Sequence, residues 1–134
     1  MIFLTDEQEL LKVKEAVNYY ANGAIKRDFE YLSKGWHKDC QMFGLNPEGK
    51  LAIYDLSFWK EGFAKPLDDD PEYKRVSKIL NVDIHGIAAS AKVETVVESS
   101  KGKVIFMDYL NHLKIDGKWW IVNKIFDAIR KPKE

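Results

Sequence analysis

Apolar positions in the first third of the chain recur at steps of three and four residues. Leu10, Val13, Val17, Tyr20 and Ala24 form one stripe, the period of a helix that buries a single face. Thr5 followed by Gln8 reads as a capping box, with Asp6 and Glu7 placed to suit the helix dipole. Arg27-Asp28 interrupts the pattern, and Asp28 can cap a short second helix carrying Phe29, Leu32 and Trp36, which the chain leaves through His37-Lys38-Asp39. Residues 40–45 read as a strand, Asn46-Pro47-Glu48-Gly49 as a turn, and residues 51–54 as a second short strand. Asp55 then caps a third helix with Leu56, Trp59 and Phe63 on one side, ended by Lys65-Pro66.

Beyond Asp68-Asp69-Asp70 the period changes. Residues 76–84, 88–97, 104–115 and 118–129 are rich in β-branched and aromatic side chains, separated by His85-Gly86, Lys101-Gly102 and Asp116-Gly117. Asp-Gly between two such runs signals a hairpin, because a type I′ turn needs positive φ at both central residues. Helices first and a meander second predict an α+β fold, three N-terminal helices packed on one face of a curved, mostly antiparallel six-stranded sheet. Residues 1–134 are expected to form one domain.

A two-residue turn at Asp116-Gly117 fixes an expected register. Counting back, His112 faces Ile121, Leu110 faces Asn123, Asp108 faces Ile125 and Phe106 faces Asp127, and opposite residues share a face. One side of the hairpin then carries Phe106, Asp108, Leu110, His112, Trp119, Ile121 and Asn123. The other carries Tyr109, Leu113, Trp120, Val122 and Phe126, with Asn111 and Lys124. Neither side has the polar alternation of a solvent face. Helices cover only one, so the other is expected to meet a second copy in a homodimer. The interior face interleaves carboxylate and amide with apolar residues, the composition of a small-ligand pocket.

Composition narrows the function classes. The 134 residues hold 21 Lys+Arg against 21 Asp+Glu, and 46% are hydrophobic. Zero net charge speaks against a nucleic-acid partner, and no run approaches the roughly 20 apolar residues of a membrane span. The opening Met1-Ile2-Phe3-Leu4-Thr5-Asp6 lacks the apolar core of a signal peptide. The single Cys40 cannot form an internal disulfide, and a cytoplasmic location is the expectation. His37, His85 and His112 lack zinc spacing, while Asp68-Asp69-Asp70 runs into Pro71 without the alternate ligands of an EF-hand, so no metal site is expected.

The order of elements resembles the nuclear transport factor 2-like superfamily, the cystatin-like cone fold, and within it the lumazine-binding branch of the SnoaL-like proteins. The resemblance runs from about Glu9 to Phe126. It is carried by Tyr20 with Gly23, Asp28-x-x-Tyr31-Leu32, Trp36-His37-x-Asp39, Val82-Asp83-Ile84-x-Gly86-x-Ala88, Asp108-Tyr109-Leu110 and Asp116-Gly117-x-Trp119-x-Ile121-Val122-Asn123-Lys124-x-Phe126. Where the family commonly has Phe-His-Pro, this chain has Trp36-His37-Lys38. The resemblance implies a cone-shaped domain, usually dimeric through the open sheet face, with a pocket between sheet and helices. It implies no single activity, since relatives include ketosteroid isomerases, scytalone dehydratase, polyketide cyclases and non-catalytic members; function rests on the site.

Candidate site residues follow. His37, leaving a helix near the expected pocket mouth, and Asp108, flanked by Phe106 and Leu110, are the candidate general acid or base. Asn123 suits a hydrogen bond to a ligand carbonyl. Tyr20, Trp36, Met42, Phe58, Trp59 and Phe106 are the expected walls. His112 and Asp127 fall nearer the sheet ends, where solvated roles are expected. The leading expectation is a binder of a compact apolar or aromatic ligand, with no cofactor. The enzymatic alternative is isomerisation, dehydration or cyclisation of a carbonyl compound through the same pocket. A third reading is an interaction module whose cavity is filled by its own side chains.

Overall fold

Helix α1 (Asp6–Lys26) starts with the expected capping box: the Thr5 side chain accepts from the Gln8 backbone, and the Gln8 side chain accepts from the Thr5 N–H. Its stripe buries Val13, Ala16, Val17, Tyr20 and Ala24. In the computed structural model, which describes residues 4–133, this face lies across a six-stranded sheet. Residues 1–3 of the segment read against a signal peptide lie outside the described residues.

At the end of α1, Arg27 adopts a left-handed conformation (φ 55°) and caps the helix. Its guanidinium reaches across to donate to the carbonyls of Gly62 and Lys65, tying α1 to helix α3 (Ser57–Ala64). Helix α2 (Phe29–Leu32) is capped by Asp28 as expected, but it is a single turn. Two glycines explain the tight packing around it. A Cβ on Gly23 would fall 2.7 Å from that of Leu32, and one on Gly35 would collide with the Ala16 carbonyl. After a turn over residues 33–35 the chain extends, so Trp36 opens strand β1 (Trp36–Leu45) rather than closing a helix. β2 is Leu51–Tyr54.

The four long runs become β3 (Lys74–His85), β4 (Ala88–Ser99), β5 (Gly102–Ile115) and β6 (Lys118–Pro132). The sheet order is β2-β1-β6-β5-β4-β3, with β1 parallel to β6 and every other pairing antiparallel. The β5–β6 turn has Asp116 at φ 50° and Gly117 at φ 79°, the two positive angles a type I′ hairpin requires.

The register runs as counted from Ile115↔Lys118 to His112↔Ile121, then slips: Asn111 pairs with Asn123, Leu110 with Lys124 and Asp108 with Phe126. Val122 is left without an opposite residue and forms a bulge. The slip brings Lys124 and Phe126 to the helix-covered face and sends Asn123, Ile125 and Asp127 to the other.

The core under the helices joins Val17, Tyr20, Leu32, Trp36, Met42, Trp59, Val93, Leu110 and Ile121, all buried. Burying each large apolar side chain contributes about 1.5–3 kcal/mol against leaving it in water. Cys40 is also fully buried, and burial pushes its thiol up to about 12, which leaves it unreactive. Among the described residues no helix is long and apolar enough to cross a membrane.

Candidate functional site

One polar cluster sits inside this core. Tyr20 from the middle of α1, Asp108 from β5 and Lys124 from β6 are 1%, 1% and 5% exposed. The Tyr20 hydroxyl donates to Asp108 Oδ2 at 2.8 Å, and Lys124 Nζ donates to Tyr20 Oη at 2.7 Å. Lys124 Nζ also stands 3.5 Å from Asp108 Oδ2. The ammonium is enclosed by aromatic faces, 5.1 Å from the Tyr20 centroid, 5.2 Å from Trp59 and 4.9 Å from Phe126.

Each member is placed by its own element. The α1 stripe aims Tyr20 at the sheet, and alternation in β5 turns Asp108 inward between Phe106 and Leu110. Only the bulge turns Lys124 inward. Electrostatics follow from enclosure. Burial holds Lys124 below the usual lysine range; Asp108 opposes that shift, and Arg75 on β3 adds to it. Burial, then the Asp108 charge, raises Tyr20 well above the ordinary phenol value.

The cluster is short of partners. Asp108 Oδ1 is buried with no hydrogen-bond donor among the described residues, and the indole nitrogens of Trp36 and Trp59 and Nε of Arg75 are without acceptors. An unmet buried polar group costs about 1–3 kcal/mol, so native interiors rarely keep several. The rings of Tyr20, Trp36 and Trp59 pack together at centroid distances of 5.1–5.6 Å. The arrangement offers a carboxylate oxygen, an amine and a phenol to one small region, with aromatic walls.

The sequence-derived candidates divide. Tyr20, Trp36, Met42, Trp59 and Asp108 come together in the interior. Phe106 lies on the same face, half-buried between Thr95 and Ala128. His37 does not join them. With β1 starting at Trp36, alternation turns His37 to the opposite face, where it stacks edge-on against Trp120 at 5.4 Å and accepts from the Asp39 N–H. Asn123 is likewise on the outer face, accepting from the Asn111 side-chain amide at 2.9 Å, because of the bulge. Phe58 is 43% exposed on α3, packed against Tyr54 and Trp59 without entering the cluster.

The cluster residue that sequence reasoning turned to the wrong face is Lys124, along with Phe126 in the same frame. A lysine between apolar neighbours carries no local mark of its direction. The available signal was indirect: with Phe126 inward, an even-numbered frame places Lys124 inward too. His112 is buried rather than solvated, with both ring nitrogens unpartnered, and burial pushes it down to about 4.

A sheet wrapped over helices, with a polar cluster in its apolar interior, defines a cone-type domain. An NTF2-like protein of unknown function from Shewanella baltica has the same architecture, with a TM-score of 0.82, 26% identity, and coverage of 96% of this chain and 100% of that one. The chain belongs to the family described as "Putative lumazine-binding", which it matches over residues 8–127. It is also 35% identical over 103 residues to the aldolase FrzH of Cladobotryum sp, covering 74% of this chain and 81% of that protein. A hexachlorocyclohexane dehydrochlorinase (LinA type 2) shares the fold, with a TM-score of 0.67 and 12% identity over 94% of this chain and 89% of that one.

Proposed function

We propose that the chain is an enzyme for small carbonyl compounds that moves a proton at the carbon next to the carbonyl, in an aldol-type or isomerising reaction. The observation that carries this reading is the division of Asp108: Oδ2 is held by Tyr20 and lies beside Lys124, while Oδ1 is buried and unpartnered. A carboxylate so placed keeps one oxygen free to take a proton. As the carbon–hydrogen bond breaks, the electron pair moves onto the carbonyl oxygen, and the Tyr20 hydroxyl or the Lys124 ammonium hydrogen-bonds that oxyanion. The unpartnered Trp36, Trp59 and Arg75 N–H groups favour a substrate rich in acceptor oxygens. The likeness to an aldolase supports the same chemistry.

The test is deuterium exchange. Incubated in heavy water with a panel of 2-oxo acids, 1,3-diketones and cyclic ketones, the protein should exchange α-protons of at least one class. Asp108→Asn should slow that exchange by about 10²–10⁴-fold, the usual worth of a positioned base. No exchange above buffer across the panel overturns the reading.

A second reading has its own observation, the near-complete burial of Tyr20, Asp108 and Lys124. In it the interior is filled by its own side chains and the domain serves as a non-catalytic module. Native mass spectrometry separates the two: a co-purifying small molecule, extractable on denaturation, speaks for a real pocket.

The outer sheet face is proposed as a homodimer interface. A row of Ile53, Phe43, Ile125 and Tyr109 crosses four strands in register, and Ile53, Ile125 and Tyr109 are 55%, 52% and 45% exposed. A hollow of about 590 Å³, bordered by Phe43, Leu45, Leu51 and Ile125, lies in the same face. A cytoplasmic setting suits the single, buried Cys40.

A further inference from the structure

We propose that Lys124 is a covalent catalyst, its amine condensing with the carbonyl substrate to form an imine. This rests on the carbonyl reading above and deepens it. The geometry is a directed chain: Lys124 Nζ donates to Tyr20 Oη, and Tyr20 Oη donates to Asp108 Oδ2. Such a chain lets an ammonium give up a proton without solvent. Tyr20 passes its own proton to Asp108 and takes one from Lys124, leaving a neutral amine, an intact phenol and a protonated carboxyl.

A purely structural ion pair has no use for this arrangement. Lys124 Nζ stands 3.5 Å from Asp108 Oδ2 but hydrogen-bonds the phenol instead, so the nearest polar contact of the nitrogen is a proton carrier. Three aromatic rings stand within 5.2 Å of the nitrogen and keep the amine largely out of solvent. Enclosure holds the proton affinity of Lys124 below the usual lysine range, the direction that eases transfer of its proton to the phenol.

The step balances without an added reagent. The Lys124 lone pair attacks the carbonyl carbon, and the carbon–oxygen π electrons move to oxygen, which takes a proton returned from Asp108 through Tyr20. The resulting carbinolamine loses its hydroxyl group together with the second nitrogen proton as water, leaving a protonated imine. The ammonium thus loses two hydrogens and the carbonyl its oxygen, which is one molecule of water. The imine nitrogen then accepts the electron pair released when Asp108 takes the α-proton, a better sink than a neutral carbonyl oxygen.

The experiment uses the intact protein near neutral pH with propanal and sodium cyanoborohydride, followed by peptide mapping for the mass of one propyl group. Lys124 should carry most of the label while the exposed lysines stay largely unmodified. Tyr20→Phe should remove that preference. Labelling spread over exposed lysines, with Lys124 untouched until the protein is denatured, overturns the proposal.

Deuterium exchange into propanal, run on the same samples, separates this proposal from the reading beneath it. Lys124→Arg keeps the cation but cannot form an imine, and it should lose exchange by about 10²-fold or more. If Lys124→Arg exchanges normally while Asp108→Asn does not, the imine falls and the proton-transfer reading stands. If the wild type neither labels Lys124 nor exchanges any member of the panel above, both fall.

Discussion

His112 and Lys124 are both buried and titratable, and their circumstances differ. Lys124 has a phenol and a carboxylate within reach, whereas both ring nitrogens of His112 lack a partner among the described residues. Burial pushes His112 from 6.5 down to about 4, with the Leu110 and Ala89 backbone opposing the shift. Its folded-state value lies below its unfolded one, so the unfolded chain takes up the proton first as pH falls. The stability from the neutral ring is complete above pH 6.5 and is lost as pH falls towards about 4. The loss should reach about 3 kcal/mol, from 1.36 kcal/mol per unit. Denaturant titrations across that window should show a steep fall in the wild type and a shallower one in His112→Leu. Equal slopes would show that another group sets the acid limit.

At the scale of elements, the cover over the cluster is held by few ties. Helix α3 closes the site with Trp59 and Phe63 and is anchored to the end of α1 by the two Arg27 hydrogen bonds. The α3 N-cap position falls on Leu56, which offers no side-chain bond, and Asp55, the expected cap, instead accepts from the Ser57 N–H one residue further out. Arg27→Ala should free this helix while leaving the sheet in place. Trp59 emission should shift to the red and α3 amides should exchange hydrogen faster, with β4 and β5 amides unchanged. Unchanged α3 protection would assign its hold to the Trp59 and Phe63 packing alone.

Most elements were legible in the sequence because their signals are local: the Thr5–Gln8 box, the α1 stripe and the Asp116-Gly117 turn each depend on a few neighbouring residues. Tyr20, Trp36, Met42, Trp59 and Asp108 were legible as interior for the same reason. His37 and Asn123 were not, because the face of each depends on long-range events. His37 turns outward because Gly35 packs on α1 and the strand starts at Trp36 rather than at Cys40, and Asn123 turns outward because one residue is extruded from a ladder. Periodicity assigns alternation, but it does not reveal where alternation skips.

For the whole molecule, the proposed dimer rests on the outer sheet face. Ile53, Phe43, Ile125 and Tyr109 stand in register on neighbouring strands, a row of apolar surface that a second copy would bury in the proposed dimer. Ile125→Asp, set among exposed neighbours, should leave the thermal transition near that of the wild type and shift sedimentation from dimer to monomer. A wild type that sediments as a monomer at micromolar concentration would refute the interface. The interior cluster is on the other side of the sheet, so loss of the dimer should leave Lys124 labelling intact.

With Val122 extruded, β6 is read in two frames. Before it the odd-numbered residues Trp119 and Ile121 are interior; after it the even-numbered Lys124 and Phe126 are. The change of phase decides which functional group faces Asp108 in the interior. Slide the second half of the strand by one position and an amide replaces the amine beside Asp108, with a surface charge where a buried one had been. A single unpaired residue thereby sets the chemical repertoire of the interior without touching it.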